Sequence, residues 1–426
     1  LSLSSDTFDN QTYYNDGITA TEDSDLDLNQ FGGVFVSNGA AGLRKLTFGF
    51  NYDRTTDFDN GFIASGTSNN SISDYFLGYA QGTSLDLLEL QSDETIDDLY
   101  QYLGESASFG AQQAFLGYQG YLIDPVSSDL SNTEYTNAQN GNTFDQDYQY
   151  TTFGNSSKFS FNAAAQLSDQ FYLGLNLNAH TFDFTRNTIF YESNTGTNNA
   201  VTNVRFDNEY RAFGTGVSAQ FGAIYHASSS LRLGASYDTP TFYTISEETE
   251  QYLSTAGANG NIILDPDVIN IYEDYDLVTP GKLTASIAYV FGQRGFLSFD
   301  YSYQDYGSIR FRPDSDPFFD DLNNQVNNQL KPVSSFKLGG EFIASNWSFR
   351  GGYRLIESPY ENEYTLGDIT GYSLGIGYSF GNTRIDVAYD WAKQDQNPSL
   401  YDGAFTNTAF IDTINSSILA SVSFQL

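Results

Sequence analysis

The sequence predicts an all-β protein, a transmembrane antiparallel β-barrel of about 14 strands. Three observations predict it. Apolar and polar residues alternate with a period of two along nearly every extended segment. The connections between these segments alternate between short and long. Aromatic residues make up 16% of the chain, and 38 Gly stand against 9 Pro, a mixture suited to twisted sheet with aromatic girdles.

The alternation is plainest from Leu43 to Asp53. Leu46, Phe48, Phe50 and Tyr52 share one face, and Lys45, Thr47, Gly49, Asn51 and Asp53 share the other. Phe159, Phe161, Ala163 and Ala165 repeat the pattern, as do Leu173, Leu175 and Leu177, then Val217, Ala219, Phe221, Ala223 and Tyr225. Later come Leu297, Phe299, Tyr301 and Tyr303, then Tyr372, Leu374, Ile376, Tyr378 and Phe380, then Ile385, Val387, Tyr389 and Trp391. Charged residues such as Lys158, Asp300, Lys337, Glu341, Arg350, Arg354, Asp386 and Asp390 all fall on the polar parity. Ile418, Ala420, Val422, Phe424 and Leu426 form a last strand able to pair with the first and remove the sheet edges.

Short connections are expected at Ser37–Gly42, Ser168–Gln170, His226–Ser229, Gly292–Gly295, Ala344–Asn346 and Gly381–Asn382. Long ones are expected at 10–23, 55–144, 190–203, 245–272, 310–330, 358–366 and 394–409. That segregation is the outer-membrane arrangement, with short periplasmic turns, long external loops and both termini periplasmic. A soluble sandwich has no reason to sort its loops by length. The loop 55–144 is too long to lack structure. Helical spacing recurs in it at Ser71–Gly78, Ser84–Leu90 and Thr95–Leu103, with Leu87, Leu88, Ile96, Leu99, Tyr100 and Leu103 as apolar stripes. It reads either as a lid with apolar capture pockets or as a fold that plugs the mouth.

Length and charge bound the rest. Residues 1–426 read as one barrel domain, because no linker or compositional break divides them and barrels grow by adding strands. No run of about 18 apolar residues exists to form a membrane helix. A formal charge of -35 opposes nucleic-acid binding. It fits a solvated acidic exterior, or divalent-cation bridges to anionic lipid headgroups. The absence of Cys removes disulfides, thiolate metal sites and thiol nucleophiles. Without a start Met or signal peptide before Leu1, the chain is expected to be mature or partial.

Several phrases resemble the Bacteroidetes branch of the FadL/TodX family of outer-membrane transporters for hydrophobic compounds. They are Gly42-Leu-Arg-Lys-Leu-Thr-Phe-Gly-Phe-Asn-Tyr-Asp-Arg54, Leu231-Arg-Leu-Gly-Ala-Ser-Tyr-Asp-Thr-Pro-Thr-Phe-Tyr243, Gly295-Phe-Leu-Ser-Phe-Asp-Tyr-Ser-Tyr303, and Arg350-Gly-Gly-Tyr-Arg354 followed by Ser358-Pro-Tyr360. The resemblance runs in order along nearly the whole chain. It implies a 14-strand barrel with an N-terminal hatch in the lumen, and passive passage of long-chain fatty acids or aromatic hydrocarbons with sideways exit through a gap in the wall. The hatch with its Asn-Pro-Ala signature is not seen ahead of Leu1. Either the hatch lies outside this sequence or a hatch-based mechanism does not apply.

Candidate ligand-path residues follow. Phe182 and Phe184 occupy the inward parity, where they suit a greasy ligand or packing against a hatch. Thr239, Pro240 and Phe242 are expected where a strand meets its external loop, with Pro240 marking a wall gap or an ordinary strand end. Arg350 and Arg354 could attract a carboxylate headgroup or be neutralised by Asp386 and Asp390. No cofactor and no metal site is expected. The acidic runs Asp93–Asp98 and Asp314–Asp321 hold oxygen ligands without the spacing of a known calcium loop. Catalysis is not expected, since only His180 and His226 could serve as imidazole bases and no nucleophile elbow or phosphate loop occurs. Expected partners are outer-membrane lipid and lipopolysaccharide, a hydrophobic small molecule, and other envelope proteins if the chain is a scaffold or shuttle subunit of a secretion or assembly machine. A general porin is a third reading.

Overall fold

Residues that alternate in polarity over many positions can satisfy both a dry and a wet surface only if the sheet has no free edge within the membrane. In the computed structural model, which describes residues 1–38, 44–139, 143–194 and 200–425, one antiparallel sheet closes on itself. Its strands are β1 (Ser2–Tyr14), β2 (Gly17–Asn38), β3 (Lys45–Asp57 resuming as Asn60–Ser68), β4 (Phe144–Gln166), β5 (Phe171–Asn194) and β6 (Val201–His226). Next come β7 (Leu231–Asp238 resuming as Thr241–Gly257), β8 (Tyr275–Thr279 resuming as Lys282–Val290), β9 (Gly295–Asp305 resuming as Arg310–Arg312) and β10 (Pro332–Ala344). β11 (Trp347–Ile356), β12 (Ile369–Phe380), β13 (Thr383–Gln396) and β14 (Phe410–Phe424) complete the ring. β14 pairs with β1, with Ala420 opposite Leu3, so the last strand closes on the first. The count is 14 strands.

The parity read from the sequence is the parity of the wall. Phe161, Leu177, Phe221, Leu374 and Ile418 are all more than half exposed on the outer face, the reverse of a soluble core. This band also carries cross-strand aromatic contacts, such as Phe50 with Phe161 at 5.3 Å and Trp347 with Tyr378 at 4.6 Å. Inward residues instead bond across strands: Asn162 donates to Asn176 at 2.6 Å, and Asn176 donates to Gln220 at 2.6 Å.

At one end of the barrel the turns are short. Ser345–Asn346 joins β10 to β11, and Gly381–Asn382 joins β12 to β13, with Ser345 and Gly381 at positive φ (56° and 74°). The turn expected at Ser37–Gly42 falls mostly outside the described residues, as does Leu426.

At the other end most strands outrun the expected loops. The connection expected at 10–23 is a tight hairpin, since β1 reaches Tyr14 and β2 begins at Gly17. The loop expected from 55 begins only after Ser68; β5 runs to Asn194; and β7 continues to Gly257 before folding back as a short strand, Gly260–Leu264. Beyond the apolar band a strand is wet on its outer side and needs no apolar face there, so its polar sequence looks like loop.

These extensions enclose a cap. α1 (Ser73–Ala80), α2 (Ile96–Ser106) and α3 (Phe109–Gln119) pack inside them with the connection between β13 and β14. Leu88, Leu99, Tyr100 and Leu103 are buried as their stripes predict, while Ser84–Leu90 holds only a single 3₁₀ turn, Leu85–Leu87. α2 is held by a capping box between Thr95 and Asp98, whose carboxyl is kept below its usual range by the Thr95 hydroxyl and amide. One buried cluster links Phe76, Tyr100 and Phe115 of the helices to Phe190, Phe206, Leu253, Tyr401 and Phe405. A packed plug at the mouth is therefore what the long loop builds, rather than a hollow vestibule. A fourth helix, α4 (Pro317–Gln329), was not expected; Asp316 caps it, and Phe319 stacks on Phe311 at 6.0 Å.

Candidate ligand path and wall seam

Among the described residues, the ring of backbone hydrogen bonds lapses over a long stretch between β2 and β3. β2 pairs with β3 from Gln30 opposite Asp53 to Asn38 opposite Lys45. From Leu28 to Gly17, β2 pairs with β1 alone. The second part of β3, Asn60–Ser68, pairs with β4 alone. Between them no ladder joins β2 to β3. The seam runs along β2 from about Thr21 to Asn29, roughly 25–30 Å of strand.

The sequence produces the seam through a kink in β3. The register with β4 shifts between Arg54 and Thr56. The Asp59 amide then donates to the Asp57 carboxylate at 3.1 Å, while the Asp59 carboxylate accepts from the Gly154 amide at 2.8 Å. Gly154 has φ 110°, a conformation costly for a residue with Cβ. Past the kink, β3 crosses the inner side of the β1–β2 hairpin in direct contact. Thr21 Oγ1 donates to the Gly61 carbonyl at 2.6 Å, and Asn10 Nδ2 donates to the same carbonyl at 2.9 Å. A Cβ on Gly17 would lie 1.7 Å from the Ser65 carbonyl oxygen, so only glycine allows this crossing.

Charge gathers on the lumen side of the seam. Asp23, Asp25 and Asp27 lie opposite Phe8, Asp6 and Ser4 on the inward parity of β2. The Arg54 side chain, 8% exposed, bonds Asp6 at 2.5 Å, Asp57 at 3.2 Å and Asp27. This guanidinium ties three strands together where their ladder ends. Asp6, Asp27 and Asp57 lie close enough to share a cation, and Arg54 already supplies that charge.

An aromatic strip lines the lumen beside the seam. Phe58, within the β3 kink, meets Phe184 edge to face at 5.2 Å, and Phe184 meets Tyr210 at 6.3 Å. Phe182 contacts Tyr243 at 5.7 Å, and Tyr243 contacts His180 at 5.8 Å. Arg186 stands over the Tyr210 ring, 5.0 Å from its centroid.

The expected site residues divide accordingly. Phe182 and Phe184 enter this strip. Thr239 and Pro240 mark a kink within β7, not the junction of a strand with its loop, since the strand resumes at Thr241. The wall is closed there: Thr241 lies opposite Thr279 and Phe242 opposite Val217. Phe242 is 56% exposed on the outer face, away from the lumen. Arg350 and Arg354 are engaged by Asp386 at 2.9 Å and Asp390 at 2.6 Å, with Glu341 also on Arg350. Phe58, Tyr210, Tyr243, Arg54 and the aspartates of β2 were missed. Only Phe58 between two aspartates hinted at a break. His180 Nε2 lies 2.8 Å from Ser218 Oγ, and its register partner on β4 is Lys158.

No family model matches the chain, and no curated protein matches it by sequence. Three solved structures align with nearly its whole length, and the first shares its fold. A FadL homologue from Pseudomonas aeruginosa aligns over 99% of this chain and 89% of its own, with a TM-score of 0.53 at 11% identity. The toluene transporter TodX from P. putida aligns over 100% and 89%, with a TM-score of 0.49 at 11% identity. The toluene transporter TbuX from Ralstonia pickettii aligns over 100% and 89%, with 0.43 at 15%. At 11% identity the likeness to the FadL homologue is one of architecture.

Proposed function

We propose that the chain is a passive transporter of hydrophobic small molecules in a bacterial outer membrane, a member of the FadL/TodX family in the branch that its Bacteroidetes-like phrases suggest. The observation behind this reading is the seam between β2 and β3, reached from the lumen over Phe58 and Phe184. In a closed membrane barrel, unpaired backbone is costly, and it persists where the protein uses it. A hydrophobic solute that leaves sideways passes from aromatic side chains into hydrocarbon without crossing water. In this reading the short turns and both termini face the periplasm, the cap faces outward, and lipid and lipopolysaccharide surround the band. Long-chain fatty acids and aromatic hydrocarbons are the candidate cargo. The packed cap argues against a wide porin.

Labelled toluene or a labelled alkanol supplied to cells tests the reading. Uptake should fall in a deletion strain and return with the gene; equal uptake in both strains removes it.

A second reading, a scaffold or shuttle subunit for other envelope proteins, draws on exposed isoleucines outside the barrel strands. Ile263, Ile269 and Ile271 are 60%, 58% and 74% exposed beyond β7. Purification in mild detergent separates the readings: a stoichiometric protein partner without lipid ligand favours the scaffold.

A further inference from the structure

The seam carries a charge pattern that bears on what can use it. This step rests on the transport reading above and concerns which class of molecule passes. Asp23, Asp25 and Asp27 stand at alternate positions along the β2 edge, all on the lumen side. Asp59 faces Asp25 across the gap from the β3 kink, and Asp57 and Asp6 complete the lining. Arg54 is the cation among them, and three of these carboxylates already surround it. Below the seam Lys158 pairs with Asp53 at 3.9 Å and adds no net charge. The lining therefore holds a formal excess of five negative charges, or four where Asp25 and Asp59 share a proton in their hydrogen bond, at the β2–β3 lapse in the described wall.

From these observations we infer that the seam selects uncharged hydrophobic molecules and rejects carboxylates. A fatty-acid anion approaching along the aromatic strip passes Arg186 over Tyr210 and then, at the seam itself, meets several aspartates around Arg54, whose charge three of them already hold. Arg350 and Arg354, the cations that could receive it on the β11 wall, are bound to Asp386 and Asp390. A neutral alcohol or aromatic ring meets the same Phe58 and Phe184 surface with no such repulsion. Several like charges in a partly hydrated site together exclude an anion by at least about tenfold.

A matched pair of probes tests this, labelled dodecanol and labelled laurate, given at pH 7.5 to deletion cells carrying the gene. The expected result is dodecanol uptake at least about tenfold faster than laurate uptake. In the triple variant Asp23→Asn, Asp25→Asn, Asp27→Asn that ratio should fall several-fold toward unity. Barrel formation is checked by heat-modifiable gel mobility. Should the triple variant fail to assemble, Asp23→Lys serves in its place, because Asp23 is exposed and its replacement should raise laurate uptake. Laurate entering the wild type as fast as dodecanol would overturn the selectivity while leaving transport intact. An unchanged ratio in the folded variants would do the same. If neither probe enters above the deletion background, the transport reading falls, and the selectivity with it.

Discussion

Phe58 and Phe184 meet edge to face at 5.2 Å, one from a two-residue break in β3 and the other from the inward parity of β5. The contact places an apolar surface beside the one stretch of β2 whose backbone has no partner on the β3 side. Without Phe58 the seam would open onto aspartates alone.

Replacing Phe184 by Ala should slow uptake of a neutral hydrophobic probe while the barrel still assembles. Edge-to-face ring pairs are worth about 0.5–1.5 kcal/mol, which corresponds to a loss of about two- to tenfold if the contact orders the path. Initial uptake rates of labelled dodecanol measure it. A wild-type rate in Phe184→Ala would show that the strip is packing only.

Arg54→Gln should destabilise the barrel more than the loss of any outer-rim charge. It leaves Asp6, Asp27 and Asp57 without their shared cation, and removing one partner of a buried ion pair costs about 3–5 kcal/mol. The guanidinium side chain is only 8% exposed, so little of that is relieved by solvent. Arg44 and Asp169 are the contrast, a pair 58% and 70% exposed at the turn end. Urea unfolding midpoints of Arg54→Gln and Arg44→Gln should differ clearly, with the second near wild type.

Gly17→Val should prevent β3 from crossing behind the hairpin. Its Cβ would sit 1.7 Å from the Ser65 carbonyl oxygen, a backbone atom that cannot rotate away. The same substitution at Gly222, where a Cβ would meet nothing within 4 Å, should be tolerated. The yield of heat-modifiable barrel in the two variants distinguishes them.

The cap should loosen as pH rises. Glu192 lies on the extension of β5, far beyond the apolar band, and is 3% exposed. It accepts from Ser71 Oγ at 2.5 Å, the Ile72 amide at 2.9 Å and Gln146 Nε2 at 2.7 Å, fastening the start of α1 to the wall. Burial pushes its carboxyl up to about 7, against those three donors, with Asp74 of α1 adding to the rise. Because the folded value lies above the ordinary 4.5, this group's stabilising share is complete below that value and is lost as pH climbs through about 7. A shift of that size is worth roughly 3 kcal/mol. Amide exchange in α1 should therefore quicken between pH 5 and pH 8 after correction for intrinsic rates. In Glu192→Gln the corrected rates should stay level.

Much of the barrel was legible because each residue's fate in it is local. Phe48 and Phe161 had to face one way and Lys158 the other, whatever strands stood beside them. Phe182 and Phe184 stood out for the same reason, as rings on a polar parity. The extensions misled because Thr19 to Asp23 has no apolar face to mark it as strand. Helix α3 escaped because Gln112, Gln113 and two glycines blur its stripe, although it is buried on almost every side. Pro240 drew attention to the wrong strand: a proline marks a kink, but only the neighbours tell whether the wall stays shut.

The sequence by itself determined which side chains meet lipid and which meet the lumen, since a period of two follows from strand geometry and needs no partner. The tertiary structure alone decided where the ring of hydrogen bonds fails. That depends on which strands Asn60–Ser68 and Thr21–Asn29 can reach, a matter of register set by contacts distant in the chain. It also decided that Asp25 faces Asp59 and that Arg54 ties Asp6 to Asp57, because residues from three strands meet there only once the barrel has closed.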